Sequence, residues 1–209
     1  MPIVLTNLLS HLKKQIKLIF VPFYTQRKAL AILRGNDDVK IEIGSGPKKK
    51  DGWVTIDLSF AADLYWDLRD KLPFPDNSVS LIYSSHVLEH FSYRDLRRLI
   101  DSCYAILKPG GRFSACVPNA RIYLEGYLSP QGFDRSLFAY EPAFVSNLPI
   151  DIVNYIAYMD GHHRHMFDEK NLVKVLEDAG FKGVHLRDFD SSLDMPERSY
   201  ESIYVEGFK

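Results

Sequence analysis

The sequence predicts an α/β protein in which helices cover a mostly parallel sheet. From residue 39 onward, short runs rich in β-branched and aromatic residues alternate with segments of helical periodicity. A glycine turn, Gly44-Ser45-Gly46, follows directly after the first of these runs. The chain has 209 residues, of which 46% are hydrophobic, so it can bury a sizeable core as a single domain over residues 1–209.

The first 36 residues have helical periodicity and are predicted to form a helical cover over the sheet. Leucines and isoleucines recur at helical spacing over residues 4–21, and Pro22 is expected to end that helix. A second helix is predicted over Thr25–Leu33, with Gly35 and Asn36 as its C-terminal cap. The basic first helix also permits contact with a membrane surface, which ranks below the covering role.

Local patterns predict the strands and two later helices. Ser92 and Asp95 predict the capped start of a helix that ends before Pro109. Asp168 and Gly180 predict the start and the stop of another helix. The predicted strands cover Val39–Ile43, Trp53–Ile56, Asp63–Trp66, Val79–Ser84, Arg112–Val117, Val184–Phe189 and Ser202–Phe208.

Residues 120–165 interrupt this alternation and are dense in tyrosine and phenylalanine. The segment is longer than an ordinary connection, which predicts a lid or an insertion that binds a ligand. A hydrophobic flap that packs for stability or forms a homodimer is the alternative. Residues 37–119, before this segment, are predicted to form the cofactor-binding half of the domain. Residues 166–209, after it, are predicted to contain the last helix and the last strands.

Composition and charge narrow the classes of partner. The formal net charge is -1, so no overall positive field indicates a nucleic acid, and a small molecule fits better. Cys103 and Cys116 have neither disulfide-framework nor zinc-ribbon spacing, and we interpret them as buried thiols of a cytoplasmic protein. The chain has no apolar run near the roughly 20 residues that a membrane-spanning helix needs, so a soluble protein is expected.

The glycine turn limits the kind of nucleotide that can bind. A phosphate-binding loop of the form G-x-x-x-x-G-K-[ST] does not occur. A dinucleotide fold needs a third small residue, where this chain has Lys49, and a helix directly after the turn. Residues 47–52 are too short and too broken for such a helix. A ligand with a nucleoside and no phosphate, such as S-adenosylmethionine, can bind without that helix dipole.

Two acids follow later predicted strands at positions that suit a nucleoside. Asp57 ends the second strand and is predicted to bind the ribose hydroxyls, while Asp67 and Leu68 follow the third strand and are predicted to contact the adenine. The connections after the first two strands are short, so the sheet face they leave uncovered is expected to be covered by the N-terminal helices.

Four segments together resemble a class I S-adenosylmethionine-dependent methyltransferase, and more narrowly the type 11 group. They are EIGSG (Glu42–Gly46), VTIDL (Val54–Leu58), LPFPDNSVSLIYSSHVLEHF (Leu72–Phe91) and LKPGGRF (Leu107–Phe113). The resemblance extends over Val39–Asn119 and is thinner at HMFDEKNLVKVLEDAGF. It implies a Rossmann-like sheet of seven strands, the last antiparallel, with S-adenosylmethionine across the carboxyl ends of the first four.

The resemblance also implies the positions that contact the cofactor. Glu42 would face the methionine ammonium through water, and Ser84 and Ser85 would border the sulfonium together with His86. The full predicted set is Glu42, Gly44, Ser45, Gly46, Asp57, Leu58, Asp67, Leu68, Ser84 and Ser85. Ser80 stands where the family usually has an aspartate, and no D-P-P-Y-like tetrapeptide follows the fourth strand, which disfavours methylation of nucleic-acid bases.

Histidines are the predicted catalytic and acceptor-binding residues. His86 follows the fourth strand and is the predicted catalytic residue, with orientation of the cofactor or capping of the next helix as the alternative. His162, Arg164, His165 and Tyr123 are predicted to contact the acceptor, with a surface role for Arg164 equally open. No metal is predicted, because the GHHRH cluster lacks the partner ligands of a recognised site.

The sequence therefore predicts methyl transfer to a hydroxyl or carboxyl group of a small molecule such as a sugar, lipid precursor or metabolite. A non-catalytic S-adenosylmethionine-binding protein is the second alternative. A nicotinamide-dependent oxidoreductase is the third, which the missing helix and the missing third glycine disfavour.

Overall fold

A seven-stranded sheet forms the centre of the protein. The structure is a computed structural model that describes residues 21–132, 134, 136, 146 and 148–209. The strands are β1 (Lys40–Ile43), β2 (Val54–Asp57), β3 (Leu64–Tyr65), β4 (Val79–Ser85), β5 (Leu107–Pro118), β6 (Lys182–Leu186) and β7 (Ser202–Phe208). The helices are α1 (residues 21–33), α2 (Tyr93–Ile106), α3 (Ala120–Leu128), α4 (Ile150–Tyr158) and α5 (Glu169–Asp178).

The strand order confirms the predicted α/β fold. It runs β3-β2-β1-β4-β5-β7-β6, with parallel pairing from β3 through β5. The last strand, β7, is antiparallel to both β5 and β6, as the resemblance implied. Sequence order reverses between β1 and β4, and this is the position where open α/β sheets bind ligands at the carboxyl ends of their strands.

The early connections are short, as predicted. Residues 44–53 and 58–63 contain no helix between β1, β2 and β3. The edge strand β3 is instead contacted by α1, where the Thr25 hydroxyl donates to the carbonyl of Tyr65 at 3.2 Å and Lys28 Nζ donates to the carbonyl of Asp63 at 2.7 Å. Ala29 of α1 is fully buried in the main core.

The N-terminal prediction was wrong in one respect. Pro22 does not lie between two helices, because residues 21–33 are continuously helical. The predicted helix over residues 4–21 lies outside the described residues except for residue 21. Among the described residues, no helix is both long and apolar enough to cross a lipid bilayer.

Two of the predicted strands differ from the observed strands by more than one residue at an end. The segment from Leu107 to Gly111 extends β5 irregularly along β4, so β5 starts five residues before the predicted Arg112. β6 covers Lys182–Leu186, earlier than the predicted Val184–Phe189, because it pairs with β7 through a register shift. Bulges of this kind insert unpaired residues that period-two patterns do not reveal.

The predicted helix caps are present. Ser92 Oγ accepts a hydrogen bond from the backbone N–H of Asp95 at 3.3 Å, and its hydroxyl donates to the Asp95 carboxylate at 2.7 Å. Asp168 and Asn171 form a complete capping box at α5, and Gly180 stops that helix with a φ of 100°. A left-handed residue after the last turn suits glycine because it has no Cβ.

The tyrosine- and phenylalanine-rich segment contains two helices that the sequence patterns did not predict. α3 and α4 pack together around a small second core formed by Ala120, Tyr123, Ile152, Tyr155 and Ile156. Residues 133, 135, 137–145 and 147 of this segment, which include Phe133, Phe138, Tyr140 and Phe144, lie outside the described residues. The assignment of the segment as a lid or an acceptor-binding insertion stays a prediction.

Candidate active site

A main cleft of about 720 Å³ opens at the carboxyl ends of the strands. Its wall is built from the ends of β1, β2 and β3, from the segment after β4, and from the segment after α4. Many residues singled out from the sequence line it, namely Gly44, Gly46, Asp57, Leu58, Asp67, Leu68, His86, His162 and Arg164. The parallel strands bring these positions together although they are spread over more than half of the chain.

The glycine turn lies at the floor of the main cleft with a backbone that favours glycine. Gly44 has a φ of 70° and donates its N–H to the carbonyl of Ile56 at 2.8 Å. Gly46 has a φ of 61°, and no atom lies within 4 Å of the position that a Cβ would take there. The turn therefore offers bare backbone to a ligand at Gly46.

The two predicted nucleoside-binding acids are held by nearby donors. The Asp57 carboxylate accepts the backbone N–H of Gly46 at 3.0 Å and that of Ser59 at 2.7 Å. Asp67 is engaged by the Arg69 guanidinium, whose Nε lies 2.9 Å from Oδ1, and these hydrogen bonds lower the pKa of Asp67 despite partial burial. These hydrogen bonds hold both side chains in fixed positions at the cleft wall.

Four predicted cofactor-binding residues do not line the main cleft. Burial raises the pKa of Glu42, although Lys50 and Lys48 oppose the shift. Ser45 Oγ donates to the carbonyl of Gly46 at 3.3 Å. Ser84 is completely buried, and its hydroxyl has no hydrogen-bond partner within the described ranges, while Ser85 accepts from the Cys116 thiol at 3.2 Å. Their roles toward a cofactor stay predictions.

A second, smaller cavity of about 90 Å³ lies next to the main cleft, and we call it the inner cavity. Tyr123, Tyr155, Ile156 and Met159 give it an apolar side formed by α3 and by α4 with its C-terminal turn. Its polar side is formed by His86, Glu89, His90, His163, Arg198 and Glu201. His86 and His90 line both the main cleft and the inner cavity, so the two spaces meet at these side chains.

His86 is held at this junction in an unusual backbone conformation. Its φ is 52°, in the left-handed region that a histidine rarely adopts. The backbone N–H donates to the carbonyl of Cys116 at 2.9 Å, and Nε2 lies 2.7 Å from Ser202 Oγ at the start of β7. Burial, together with the charges of Arg198 and His163, lowers the pKa of His86 to about 3. Residues held in such strained conformations cluster at functional sites.

Glu89 is a site residue that the sequence reasoning missed. Its side chain is 2% exposed, and neither carboxylate oxygen has a hydrogen-bond partner in the part of the chain that the structure describes. Burial raises the pKa of Glu89 to about 8. Oε1 lies 3.9 Å from Nδ1 of His86 and 3.9 Å from Nε2 of His90. The signal in the sequence was an acid between two histidines in a run of apolar residues after the fourth strand.

The structure divides the predicted GHHRH cluster between different environments. His162 and Arg164 line the main cleft, and their contact with an acceptor stays a prediction. His165 lines neither space and packs against Phe167, with ring centroids 4.6 Å apart. The neighbouring His163, which was not predicted, is buried at the inner cavity. Tyr123 also lines the inner cavity, where its hydroxyl donates to Glu201.

The sequence matches a known family. Residues 44–186 match the family described as the methyltransferase domain. A ubiquinone/menaquinone biosynthesis C-methyltransferase of Neisseria gonorrhoeae is 28% identical over 126 residues, which are 59% of this chain and 48% of that protein. A probable S-adenosylmethionine-dependent methyltransferase of Mycolicibacterium smegmatis is 33% identical over 60 residues, 29% of this chain and 23% of that protein. The chain spans about half the length or less of these curated relatives.

Solved structures share the fold at low sequence identity. An S-adenosylmethionine-dependent methyltransferase from Mesorhizobium loti has a TM-score of 0.53 at 17% identity, covering 87% of this chain and 98% of that one. The phosphoethanolamine N-methyltransferase 2 of Haemonchus contortus, solved with S-adenosyl-L-methionine, has a TM-score of 0.52 at 13% identity and covers 88% of this chain and 52% of that one. At such identities the likeness is one of fold.

Proposed function

The chain belongs to the methyltransferase-domain family as a class I S-adenosylmethionine-dependent methyltransferase, and from this premise we propose that it methylates a small molecule whose reacting end enters the inner cavity. The observation that carries the proposal is that His86 and His90 line both the main cleft and the inner cavity. A methyl donor in the first space and an acceptor in the second would meet there. A cavity of about 90 Å³ suits the end of a small acceptor.

The main cleft has features that suit S-adenosylmethionine. Gly46 presents bare backbone, and the Asp57 carboxylate is fixed by two backbone N–H groups with lone pairs left for ribose hydroxyls. Asp67 and Leu68 stand further along the same wall for the adenine. No helix begins after the glycine turn, so the pyrophosphate of a dinucleotide would lack the helix N-terminus that usually holds it.

The protein's part in the reaction is mainly alignment. When bound, the cofactor supplies a methyl group on a sulfonium, which is already an activated electrophile. The protein then has to hold the acceptor in line with that methyl group and to exclude water. The buried side chains around the inner cavity can do both, and His86 is the residue that we propose to contact the reacting groups.

The acceptor atom is an oxygen of a hydroxyl or carboxyl group in our proposal. The polar side of the inner cavity supports it, because histidine, glutamate and arginine side chains there can bind an oxygen acceptor. Carbon methylation of an aromatic ring is the second candidate. It is supported by the tyrosine rings of Tyr123 and Tyr155, whose centroids are 6.1 Å apart on the apolar side, and by the C-methyltransferase activity named for the Neisseria relatives.

Calorimetric titration tests the cofactor. S-adenosylmethionine, S-adenosylhomocysteine and NADH would be titrated into the protein and into an Asp57→Ala variant. Binding of the first two alone, at least tenfold weaker in the variant, is the expected result. Asp51→Ala is the matched control, because Asp51 is exposed in the connection that leads to β2 and does not line the main cleft. Tight binding of NADH with no response to either methionine compound would reject the proposal.

Turnover tests the enzymatic part of the proposal. Release of S-adenosylhomocysteine would be measured with panels of hydroxyl, carboxyl and aromatic-ring acceptors. Product formation with an oxygen acceptor supports the first candidate, and product formation with a ring carbon supports the second. Cofactor binding without turnover on any acceptor would favour the non-catalytic alternative.

A further inference from the structure

Glu89, His90 and His163 converge at the junction of the main cleft and the inner cavity, and we propose that they bind a divalent transition-metal ion. Each offers one ligand atom, and these atoms all lie within 4.8 Å of one another. Glu89 and His90 belong to the short 3-10 helix Leu88–His90, whereas His163 comes from the segment after α4. The ligands are thus far apart in sequence and meet only in the folded protein.

The hydrogen bonds of His90 and His163 leave Nε2 of each ring unprotonated and able to bind a metal ion. Nδ1 of His90 lies 3.1 Å from the carbonyl of His162, and Nδ1 of His163 lies 2.9 Å from the carbonyl of Ile156. A carbonyl only accepts, so Nδ1 carries the proton in each ring and Nε2 keeps its lone pair. Metal-binding histidines typically donate their second ring nitrogen to a carbonyl or carboxylate in this way.

The carboxylate of Glu89 is a second and independent observation. The side chain is 2% exposed, and neither Oε1 nor Oε2 has a hydrogen-bond partner among the described residues. A buried carboxylate without partners is costly unless a cation or a donor satisfies it. Oε1 is directed at Nε2 of His90 across 3.9 Å, which is too long for a hydrogen bond and leaves room between the two atoms. A cation between them would supply what the carboxylate lacks.

The spacing requires a small closure around an ion. Bonds of about 2.0–2.2 Å to nitrogen and oxygen hold neighbouring ligand atoms about 3–3.5 Å apart. The ligand atoms lie within 4.8 Å of one another. Shifts of the ligand atoms by about an ångström, through small side-chain rotations, would bring them to the distances at which one ion can bind all three. The ring centroids of His90 and His163 are already 5.1 Å apart in an edge-to-face arrangement, so the two rings are neighbours before any ion binds.

The ligand types indicate the class of metal. Two imidazoles and one carboxylate suit Zn²⁺, Fe²⁺ or Co²⁺ better than Mg²⁺ or Ca²⁺, which prefer oxygen ligands. Three protein ligands leave coordination positions open, as in catalytic rather than structural zinc sites. Arg198 also lines the inner cavity and its charge opposes a cation, while the carboxylates of Glu89 and Glu201 favour one.

A role in the reaction rests on the proposed function, although metal binding itself does not. The open positions border the inner cavity, where the reacting end of the acceptor would lie. An acceptor oxygen bound to the ion would lose its proton to solvent water more easily. The resulting oxygen anion would form a bond to the methyl carbon as the carbon–sulfur bond breaks, and the electron pair of that bond would stay on the sulfur of the departing S-adenosylhomocysteine. Such an ion would favour a hydroxyl or carboxyl acceptor over a ring carbon.

Metal binding is tested by calorimetry and equilibrium dialysis with Zn²⁺ alone, after the full-length chain has been stripped with a chelator. One Zn²⁺ per chain is expected, with affinity at least tenfold weaker in Glu89→Gln, His90→Ala and His163→Ala. His162→Ala is the matched control, because His162 contributes only its backbone carbonyl to the site. The visible spectrum of bound Co²⁺ would report a site with nitrogen and oxygen ligands.

The outcomes separate the two proposals. Absence of stoichiometric Zn²⁺ binding, or equal binding by Glu89→Gln and the unmodified protein when both have the same melting temperature, would overturn the metal site. Binding of S-adenosylhomocysteine is measured in the same samples and is expected to survive stripping. If metal binds but no acceptor is methylated, the site stands and the proposed function fails. If methylation is unaffected by stripping, the role of the metal in the reaction is overturned.

Discussion

Gly44 and Val87 approach so closely that a Cβ atom on Gly44 would lie 2.3 Å from Cγ2 of Val87. Val87 is the residue after His86, so this contact joins the glycine turn to the segment that carries the junction of the two cavities. Gly44→Ala therefore has to displace that segment, and its φ of 70° adds backbone strain of about 1–2 kcal/mol. We expect at least a tenfold loss of S-adenosylhomocysteine binding, measured by calorimetry.

The matched control for this substitution is Gly52→Ala. Gly52 lies in the same connection with a φ of 77°, but no atom lies within 4 Å of its Cβ position. It should lower the melting temperature through strain alone and leave ligand binding unchanged. Equal binding by the Gly44 and Gly52 variants would mean that the contact with Val87 does not control the cleft.

His86→Asn tests the predicted catalytic histidine. Asparagine tolerates the left-handed backbone at this position, so the fold should persist while the imidazole is removed. If His86 contacts the reacting groups, kcat should fall by about 10²-fold or more while the KM for S-adenosylmethionine stays the same. Steady-state kinetics separate the two constants.

Ser202→Ala is the companion variant, because it removes the hydrogen bond to His86 Nε2 and keeps the imidazole. A smaller loss of kcat is expected than for His86→Asn. A rise in KM for the cofactor with unchanged kcat in His86→Asn would instead favour the alternative in which His86 orients the cofactor.

Arg187 and Asp194 form a buried ion pair that we expect to be important for stability. Nη1 and Oδ2 are 2.6 Å apart, the side chains are 9% and 0% exposed, and the Tyr83 hydroxyl donates to the same carboxylate at 2.8 Å. Arg187→Met leaves a buried charge without its partner and should lower the free energy of unfolding by about 3–5 kcal/mol. Urea denaturation at neutral pH measures this change.

The exposed pair of Arg121 and Glu169 provides the comparison. Their side chains are 46% and 29% exposed at a separation of 3.0 Å. Arg121→Met should lower the free energy of unfolding much less than Arg187→Met, because solvent screens such an exposed pair. A similar cost for both arginine variants would contradict the assignment of the Arg187 pair as a buried structural interaction.

Asp63 should make stability depend on pH in the acid range. Partial burial raises the pKa of Asp63, but hydrogen bonds from Lys49 and Thr55 outweigh this effect and hold the pKa below its usual value. A carboxyl with a lowered pKa in the folded state stabilises the protein above the pKa of the unfolded state. That contribution disappears as the pH falls through the folded pKa. Urea midpoints measured from pH 7 down to pH 3 should therefore fall less steeply in Asp63→Asn.

Lys49→Met serves as a partial version of this test. It removes the donor at 2.7 Å and leaves the two hydrogen bonds from Thr55, so the pH dependence should be intermediate. Identical slopes for the unmodified protein and Asp63→Asn would mean that Asp63 does not contribute to acid unfolding.

Features fixed by local physics could be predicted from the sequence. The turn at Gly44 and Gly46 needs left-handed backbone, and the caps at Ser92 and Asp168 need a side-chain oxygen next to free N–H groups. These requirements act within a few residues, so the sequence displays them. The missing helix between β1 and β2 was predictable for the same reason, because the stretch from Pro47 to Gly52 is too short for a helix and is bounded by two residues that disfavour one.

Features that depend on tertiary contacts could not be predicted. Glu89 is one of many acids in the sequence, and its importance comes from burial of a carboxylate that has no hydrogen-bond partner among the residues the structure describes. His163 differs from its neighbours only because α4 and its C-terminal turn direct it into the inner cavity, while His165 packs elsewhere. Helices α3 and α4 were missed because their aromatic residues form a second core, which hides the usual one-sided periodicity.

The antiparallel insertion of β7 between β5 and β6 has a consequence for the order of folding. His86 and its partner Ser202 are 116 positions apart in the sequence, and Glu201 beside them bonds Tyr123. Contacts of such high sequence separation form late, because a long loop has to close first. A chain whose central strands have paired but whose β7 has not yet inserted would have the glycine turn and lack a fixed His86. Ligand binding would then precede catalytic competence during folding.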